Sequence, residues 1–520
     1  MIPFDASGAF RPEGAGGELR RVAVRSAAAA LTAAALALGL RVVGTVVLAR
    51  LLTPADFGVV TMVTTVSLLL ASFGLNGFTE AVIQFEEMDH YTASNLFWIN
   101  SCGGLVLALG MAAAGPLLAR FFQNPLVANV AMGLSVGIFI AAGSVVHLAL
   151  LKRAMRFTVS SANDVVTLAV YTAVTILLAA RGWGYWALVV GMVASQLSTT
   201  IGAWWLCRWI PGLPRRTGKT VPILRFAAKV YGQFGLRYST RNVDNLLIGW
   251  RFNAVALGFY KKAFDLFALT ASQLTAPLDS VALATLSRLS NDPVRFRRYL
   301  AGSLGIIAFV GLAVSANLTL VGRDVVRLVL GPQWAEAAKI FQLFGPGIGV
   351  MLLCSTVGWI HLSLGNPGRW LRWTVVEFAV TVSLFVLALP WGPKGVAAAW
   401  SVSYFALVIP AFWYAGRPIG LGVSFLIAAV WRYAVASLLA SAATAAIFRG
   451  TAIWTSPAGA GAALEGSIII SLAFVVLYVG AVILLHWGCE PLRQLGGLVR
   501  DLAPAPKMVS PGAEAVGKYQ

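Results

Sequence analysis

Charge is what this sequence has least of. Only 11% of its 520 residues are Asp, Glu, Lys or Arg, against about 25% in a soluble globular domain. With 58% apolar residues and a mean hydropathy of +0.80, that shortage excludes a soluble enzyme or binding module. Acids are scarcer than bases, 20 against 39, for a net charge of +19. The excess does not read as nucleic-acid binding, because no long basic run or aromatic-interleaved basic patch occurs. The cations lie between apolar blocks, as in cytoplasmic loops of membrane proteins. Cysteine and histidine are also sparse. Cys102, Cys207, Cys354 and Cys489 are far apart and make no CxxC or Cys/His cluster, so neither a disulfide framework nor a metal site is expected. His90, His147, His361 and His486 are as scattered and read as packing or interface residues. There is no Walker A loop, no loop long enough for a soluble catalytic domain, and no sign of a cofactor.

Long apolar runs are abundant. About fourteen are long enough to cross a bilayer, which takes about 20 residues each. They predict an all-α polytopic membrane protein: a cytoplasmic segment 1–26, a six-helix lobe over 27–207, a basic cytoplasmic linker over 208–229, a second six-helix lobe over 230–414, two further helices within 415–487, and a largely disordered tail over 488–520. The first run, Ala27–Leu38, follows Arg20, Arg21 and Arg25 like a signal peptide, but its apolar character continues to Leu48, so a retained helix is expected. With the N-terminus inside, cytoplasmic segments hold about 24 Lys and Arg and outer loops about 11, which favours both termini in the cytoplasm. In that count Arg251, Lys261 and Lys262 belong to an outer loop between spans 230–250 and 264–287.

An internal repeat supports two halves. Leu40–Gly58 aligns without gaps to Thr240–Gly258 at an offset of 200 residues, setting Arg41 on Arg241, Phe57 on Leu257 and Gly58 on Gly258. Halves of six crossings share one orientation, so their symmetry axis runs along the membrane normal.

The charges within spans are the sharpest functional signal, since each costs about 2.5–3.5 kcal/mol at mid-bilayer. Tyr231–Trp250 carries Arg237, Arg241 and Asp244 at spacings of four and three, which on one continuous helix share a face. Arg41, Arg237 and Arg241 are candidates to bind an anionic diphosphate through forked guanidinium hydrogen bonds. The plainer alternatives are snorkelling, or an Arg241–Asp244 structural pair. Asp244 and Asp279 are candidates for a coupling ion, and Pro277 and Gly345-Pro346-Gly347 for hinges.

Val47–Gln84 resembles the N-terminal signature of bacterial polysaccharide-unit flippases, within the multidrug/oligosaccharidyl-lipid/polysaccharide exporter superfamily. The resemblance rests on Ala49-Arg50-Leu51-Leu52-Thr53-Pro54, Asp56-Phe57-Gly58, and Phe73-Gly74-Leu75 followed by Gln84. Asp244–Gly249 with Leu257–Tyr260, and Pro277–Asp292, resemble the start of that family's second half, although Ala284 or Thr285 stands where members often have proline. The resemblance implies two six-helix lobes, alternating access, and a cargo of a few sugars on undecaprenyl diphosphate carried across the bacterial inner membrane. It implies no covalent chemistry, and as partners membrane lipids and a polysaccharide polymerase with its co-polymerase. Competing expectations are a multidrug exporter of the same superfamily, which would want a negatively charged cavity, and a membrane polymerase or ligase, which would need a long catalytic outer loop.

Overall fold

The computed structural model describes residues 3–5, 7–10, 19–85, 88–215, 220–451, 460–488 and 493; the side chains of 19–31, 73–76, 233, 237, 272–281 and 460 lie outside that description. The described residues contain α-helices, three short 3₁₀ turns and two isolated bridges, but no strand. In chain order the helices are α1 (Leu19–Leu51), α2 (Pro54–Gln84), α3 (His90–Phe121), α4 (Leu126–Ala142), α5 (Val145–Arg153), α6 (Phe157–Ala180), α7 (Tyr185–Cys207), α8 (Thr220–Thr240), α9 (Val243–Arg251), α10 (Ala254–Arg288), α11 (Pro293–Leu330), α12 (Ala335–Ser363), α13 (Pro367–Ala388), α14 (Gly392–Gly416), α15 (Val423–Phe448) and α16 (Ala460–His486).

Eleven candidate membrane spans, long and apolar enough to cross, lie among the described residues. One of them, Pro367–Ile419, runs through both α13 and α14, which a 3₁₀ turn at Leu389–Trp391 separates. α8, α9 and α10 are not in this set; α9 has only nine residues, and α8 carries Arg225, Lys229 and Arg237.

Local sequence explains the helix boundaries. Thr53 caps α2: its hydroxyl accepts from the Asp56 amide, and Asp56 accepts back from the Thr53 amide and hydroxyl at 2.9 and 2.6 Å. Asp89 caps α3 by accepting from the Thr92 amide at 2.6 Å. The linker is shorter than its composition predicts, since α8 begins at Thr220. Its first part is strapped onto α3: the Gly212 amide donates to Ser94 Oγ at 2.9 Å and the Arg215 amide to Asn95 Oδ1 at 2.8 Å. Residues ahead of α1 fold back beneath the same helix, with Phe4 buried against Trp209 and the His90 amide donating to Gly8 O.

Two compact units emerge, and their border does not follow the chain halves. One comprises Met1–Leu269, Gly322–Phe344 and Leu371–Ser403; the other comprises Thr270–Val321, Gly345–Trp370 and Tyr404–Gln520. The second unit includes α15 and α16, tied to α11 by the Tyr478 hydroxyl, which donates to Phe309 O at 2.8 Å. The first unit holds the opening helices of both halves, and the candidate site lies there.

Candidate functional site where the two halves meet

The repeat read from sequence reappears as a reciprocal contact. α2 and α10 cross at their first turns, where Gly58 lies against Ala254 and Gly258 against Pro54. A Cβ on Gly58 would overlap the carbonyl oxygen of Ala254, and one on Gly258 would overlap that of Pro54. Both contacts are with backbone, which has no rotamer to move aside, so neither position has room for a side chain. The flanking contacts are reciprocal too. The α3–α4 turn of the first half packs Phe122 on Gly249, while the α11–α12 turn of the second sends the Trp334 indole N–H to Ala49 O at 2.8 Å. Residues 49 and 249 are again 200 apart.

Below this crossing the structure departs from the sequence expectation. Tyr231–Trp250 is not one helix. α8 ends at Thr240, Arg241 and Asn242 form a turn, and α9 starts at Val243. The Asn242 side chain donates to Tyr238 O at 2.9 Å, an amide competing with the helical ladder for a carbonyl. Across the break the two described charges part. Arg241 is exposed, whereas Asp244 is 1% exposed and takes its hydrogen bonds elsewhere. The Tyr260 hydroxyl and the Trp400 indole N–H donate to its Oδ2 at 2.6 and 3.0 Å, and the Asn245 amide to its Oδ1 at 2.8 Å. A buried carboxylate is tolerated where such donors surround it. The alternative of an Arg241–Asp244 structural pair is therefore not realised. The side-chain oxygen of the next residue, Asn245 Oδ1, is buried without a partner among the described residues.

A second departure concerns the loop that was expected to hold Lys261 and Lys262. α10 begins at Ala254, so both lysines stand inside its third turn. Lys262 is 8% exposed, and its ammonium lies 3.7 Å from the centre of the Phe57 ring, a cation–π contact between the two halves. Lys261 pairs with Asp265 one turn on, at 2.8 Å. The signal that could have found them was the repeat itself. Once Gly258 aligns with Gly58, four residues into α2, Lys262 aligns with Met62 and must be helical.

The remaining candidates are dispersed. Arg41 is exposed on α1, which packs on α6 where Gly44 meets Thr172. Arg237 lies in α8, and Pro277 and Asp279 in α10, but these three side chains lie outside the described residues. Gly345-Pro346-Gly347 is helical within α12. Neighbouring helices brace this stretch: Ser401 donates to Leu343 O at 2.6 Å in the first unit, and Ser315 to Gly345 O at 2.6 Å in the second. The border between the units falls between Phe344 and Gly345.

A family model described as polysaccharide biosynthesis protein matches residues 47–339, a range that takes in the glycine crossing, Asp244 and Lys262. The chain belongs to that family. Among curated relatives of this chain, the succinoglycan biosynthesis transport protein ExoT of Rhizobium meliloti (strain 1021) is 24% identical over 345 residues, 66% of this chain and 69% of that one. The lipopolysaccharide biosynthesis protein WzxC of Escherichia coli (strain K12) is 23% identical over 355 residues, 67% and 69% of the two chains. Among solved structures, the lipid II flippase MurJ in an inward closed conformation superposes with a TM-score of 0.70 at 14% identity, covering 88% of this chain and all of that one. An inward-facing multidrug resistance transporter of the MATE family and MOP superfamily gives 0.59 at 13% identity, over 73% and 94%. The fold is thus shared with MurJ and with that MATE transporter.

Proposed function

We propose that the protein is a flippase that moves undecaprenyl-diphosphate-linked oligosaccharide repeat units across the bacterial inner membrane for surface polysaccharide synthesis, with no covalent chemistry. The observation that carries the reading is a desolvated ammonium, Lys262, held between the two halves of a chain from a polysaccharide biosynthesis family. A buried cation of this kind favours an anionic cargo over a cationic drug. The MATE-like fold is what favours the multidrug alternative, and the cation weighs against it.

In this reading the helices make fourteen crossings in two six-helix lobes about a pseudo-twofold axis, plus α15 and α16, with both termini cytoplasmic. The two halves of the α13–α14 run each cross once, and α8 with α9, and α10, cross despite their charge. On that orientation the Gly58–Gly258 crossing lies on the outer side of the membrane. Arg41, Arg237 and Arg241 receive the diphosphate at the cavity wall. Asp244, with the unpartnered Oδ1 of the next residue, Asn245, or Asp279, takes the coupling ion, and Gly345-Pro346-Gly347 and Pro277 flex during the cycle. Coupling to the membrane potential would supply about 2.3 kcal/mol per charge per 100 mV. A polysaccharide polymerase and its co-polymerase take up the delivered units.

The test is translocation of a lipid-linked oligosaccharide in proteoliposomes, alongside analysis of cells lacking the protein. The expected results are movement of the glycolipid between leaflets and its accumulation in the cytoplasmic leaflet of the depleted cells. Export of a cationic dye in place of the glycolipid would select the multidrug reading.

A further inference from the structure

α6 and α7 face each other through neutral polar residues. Asn163, Thr167, Tyr171 and Thr175 recur every four residues on α6 and share one face. At both ends the two helices are tight. A Cβ on Gly202 would overlap Asn163 Oδ1, and one on Gly191 would overlap Thr175 Oγ1. Between them the Thr167 and Thr199 hydroxyls are 3.0 Å apart. Contacts of this type are ordinary glue between membrane helices.

They do not account for the middle of the stripe. There the helices part around a cavity of about 230 Å³, walled on its other sides by α2 and α4. Thr64, Ser67, Tyr171, Ser195 and Gln196 reach it, and among the described residues that line it there is no carboxylate, ammonium, guanidinium or imidazole. Ser195 donates its proton to Met192 O at 2.7 Å, which leaves its oxygen lone pairs for a guest. The Gln196 amide makes no hydrogen bond to any described residue, so two donors and an acceptor stand uncommitted.

We propose that this cavity is a sugar-ring subsite that holds one neutral ring of the cargo and selects among rings. The proposal rests on the flippase reading. A diphosphate would find no counter-charge here and would stay outside, because a desolvated anion without partners is costly. Apolar walls with a few convergent polar groups are the usual make-up of a small-molecule site. The cavity is smaller than the about 300–1,000 Å³ of drug-sized sites, which fits a single ring and not a chain. Tyr171 offers a flat apolar face, and Gln196 with the serine and threonine oxygens offers partners for ring hydroxyls. A site built on such bonds rejects rings that misplace a hydroxyl, because its own polar groups then go unmatched.

The test measures initial translocation rates in proteoliposomes for bare undecaprenyl diphosphate and for the same lipid carrying glucose, galactose or N-acetylglucosamine. The unaltered protein should move at least one sugar-bearing lipid at least about tenfold faster than another, as hydrogen-bonded specificity requires. Gln196→Leu should cut that ratio to near one. Gly137→Leu fills the same space without removing a polar group; its Cβ would meet Gln196 Cγ and Val193 Cγ2 at an easy 3.8 Å. It should cut the ratio equally, and it decides the matter if Gln196→Leu does not fold. An unchanged ratio in the folded variants, or equal rates for every sugar in the unaltered protein, overturns the subsite and leaves the flippase reading standing. If none of the four lipids moves, the flippase reading fails and takes the subsite with it.

Discussion

The first turns of α2 and α10 do the same mechanical work with different chemistry. Both enter the crossing through a glycine at the fifth helical residue, and both are capped by a polar side chain just ahead, Thr53 with Asp56 in one and Asn253 in the other. Beyond the crossing they diverge. α2 continues as Val59, Val60, Thr61, Met62 and Val63, all buried. α10 continues to Lys261, Lys262 and Asp265. The comparison separates two demands. Close approach of backbones depends on an absent side chain, so symmetry preserves the glycine on both sides. In the proposed reading, recognition of a charged cargo needs only one cation at the interface, which leaves the two helices free to differ there.

The most disruptive way to break the comparison is to fill a glycine. Gly58→Val or Gly258→Val should each reduce translocation at least about tenfold, and the double variant should be no worse than either single, because all three open one crossing. Disulfide trapping between cysteines placed at Pro54 and Ala254 checks this, and should fail in the valine variants. Additive losses would mean that the two glycines serve separate contacts. Next in size is Arg241→Ala, which should abolish most export while the protein still inserts; Arg241→Lys should retain part, since an ammonium cannot fork. Full polymer production by Arg241→Ala would remove it from the proposed cavity.

Lys262→Met tests the asymmetry. It keeps the length of the side chain and gives the position the residue found at 62, so the fold should survive and export should drop several-fold. Wild-type export by that variant would leave Lys262 as packing against Phe57. Asp244→Asn should cost less in folding than most changes at a buried acid, because Tyr260 and Trp400 can still donate to the amide oxygen. Its expected effect is loss of ion dependence with part of the export retained, read by varying sodium and pH. The smallest effect belongs to the cap. Thr53→Ala should lower stability by about 1 kcal/mol, the usual worth of an N-cap, with little change in transport. A large transport defect there would mean that the start of α2 moves during the cycle.

The repeat was legible as Gly58 over Gly258 because an invariant requirement, space for a backbone, leaves one residue type behind. The arginine positions were legible only as positions. The face assigned to Arg237, Arg241 and Asp244 assumed an unbroken helix, and periodicity holds only while the ladder does. Asn242 ends it, and a single asparagine in a span is too weak a signal to foresee the turn. Lys261 and Lys262 were misplaced for the opposite reason. Hydropathy windows move charged residues to the nearest loop, although a long helix keeps its charges if another surface covers them.

Sequence alone determined that the chain is a bundle of apolar helices and where most of them begin and end, and it paired Gly58 with Gly258. These properties follow from local hydropathy, caps and turns, which neighbouring residues decide among themselves. Only the tertiary structure decided which charges are enclosed. Lys262 is buried because Phe57, two hundred and five residues earlier, covers it, and Asp244 is satisfied because Trp400, one hundred and fifty-six residues later, reaches it. Burial is a property of a residue and its distant partners together, and no window along the chain contains both.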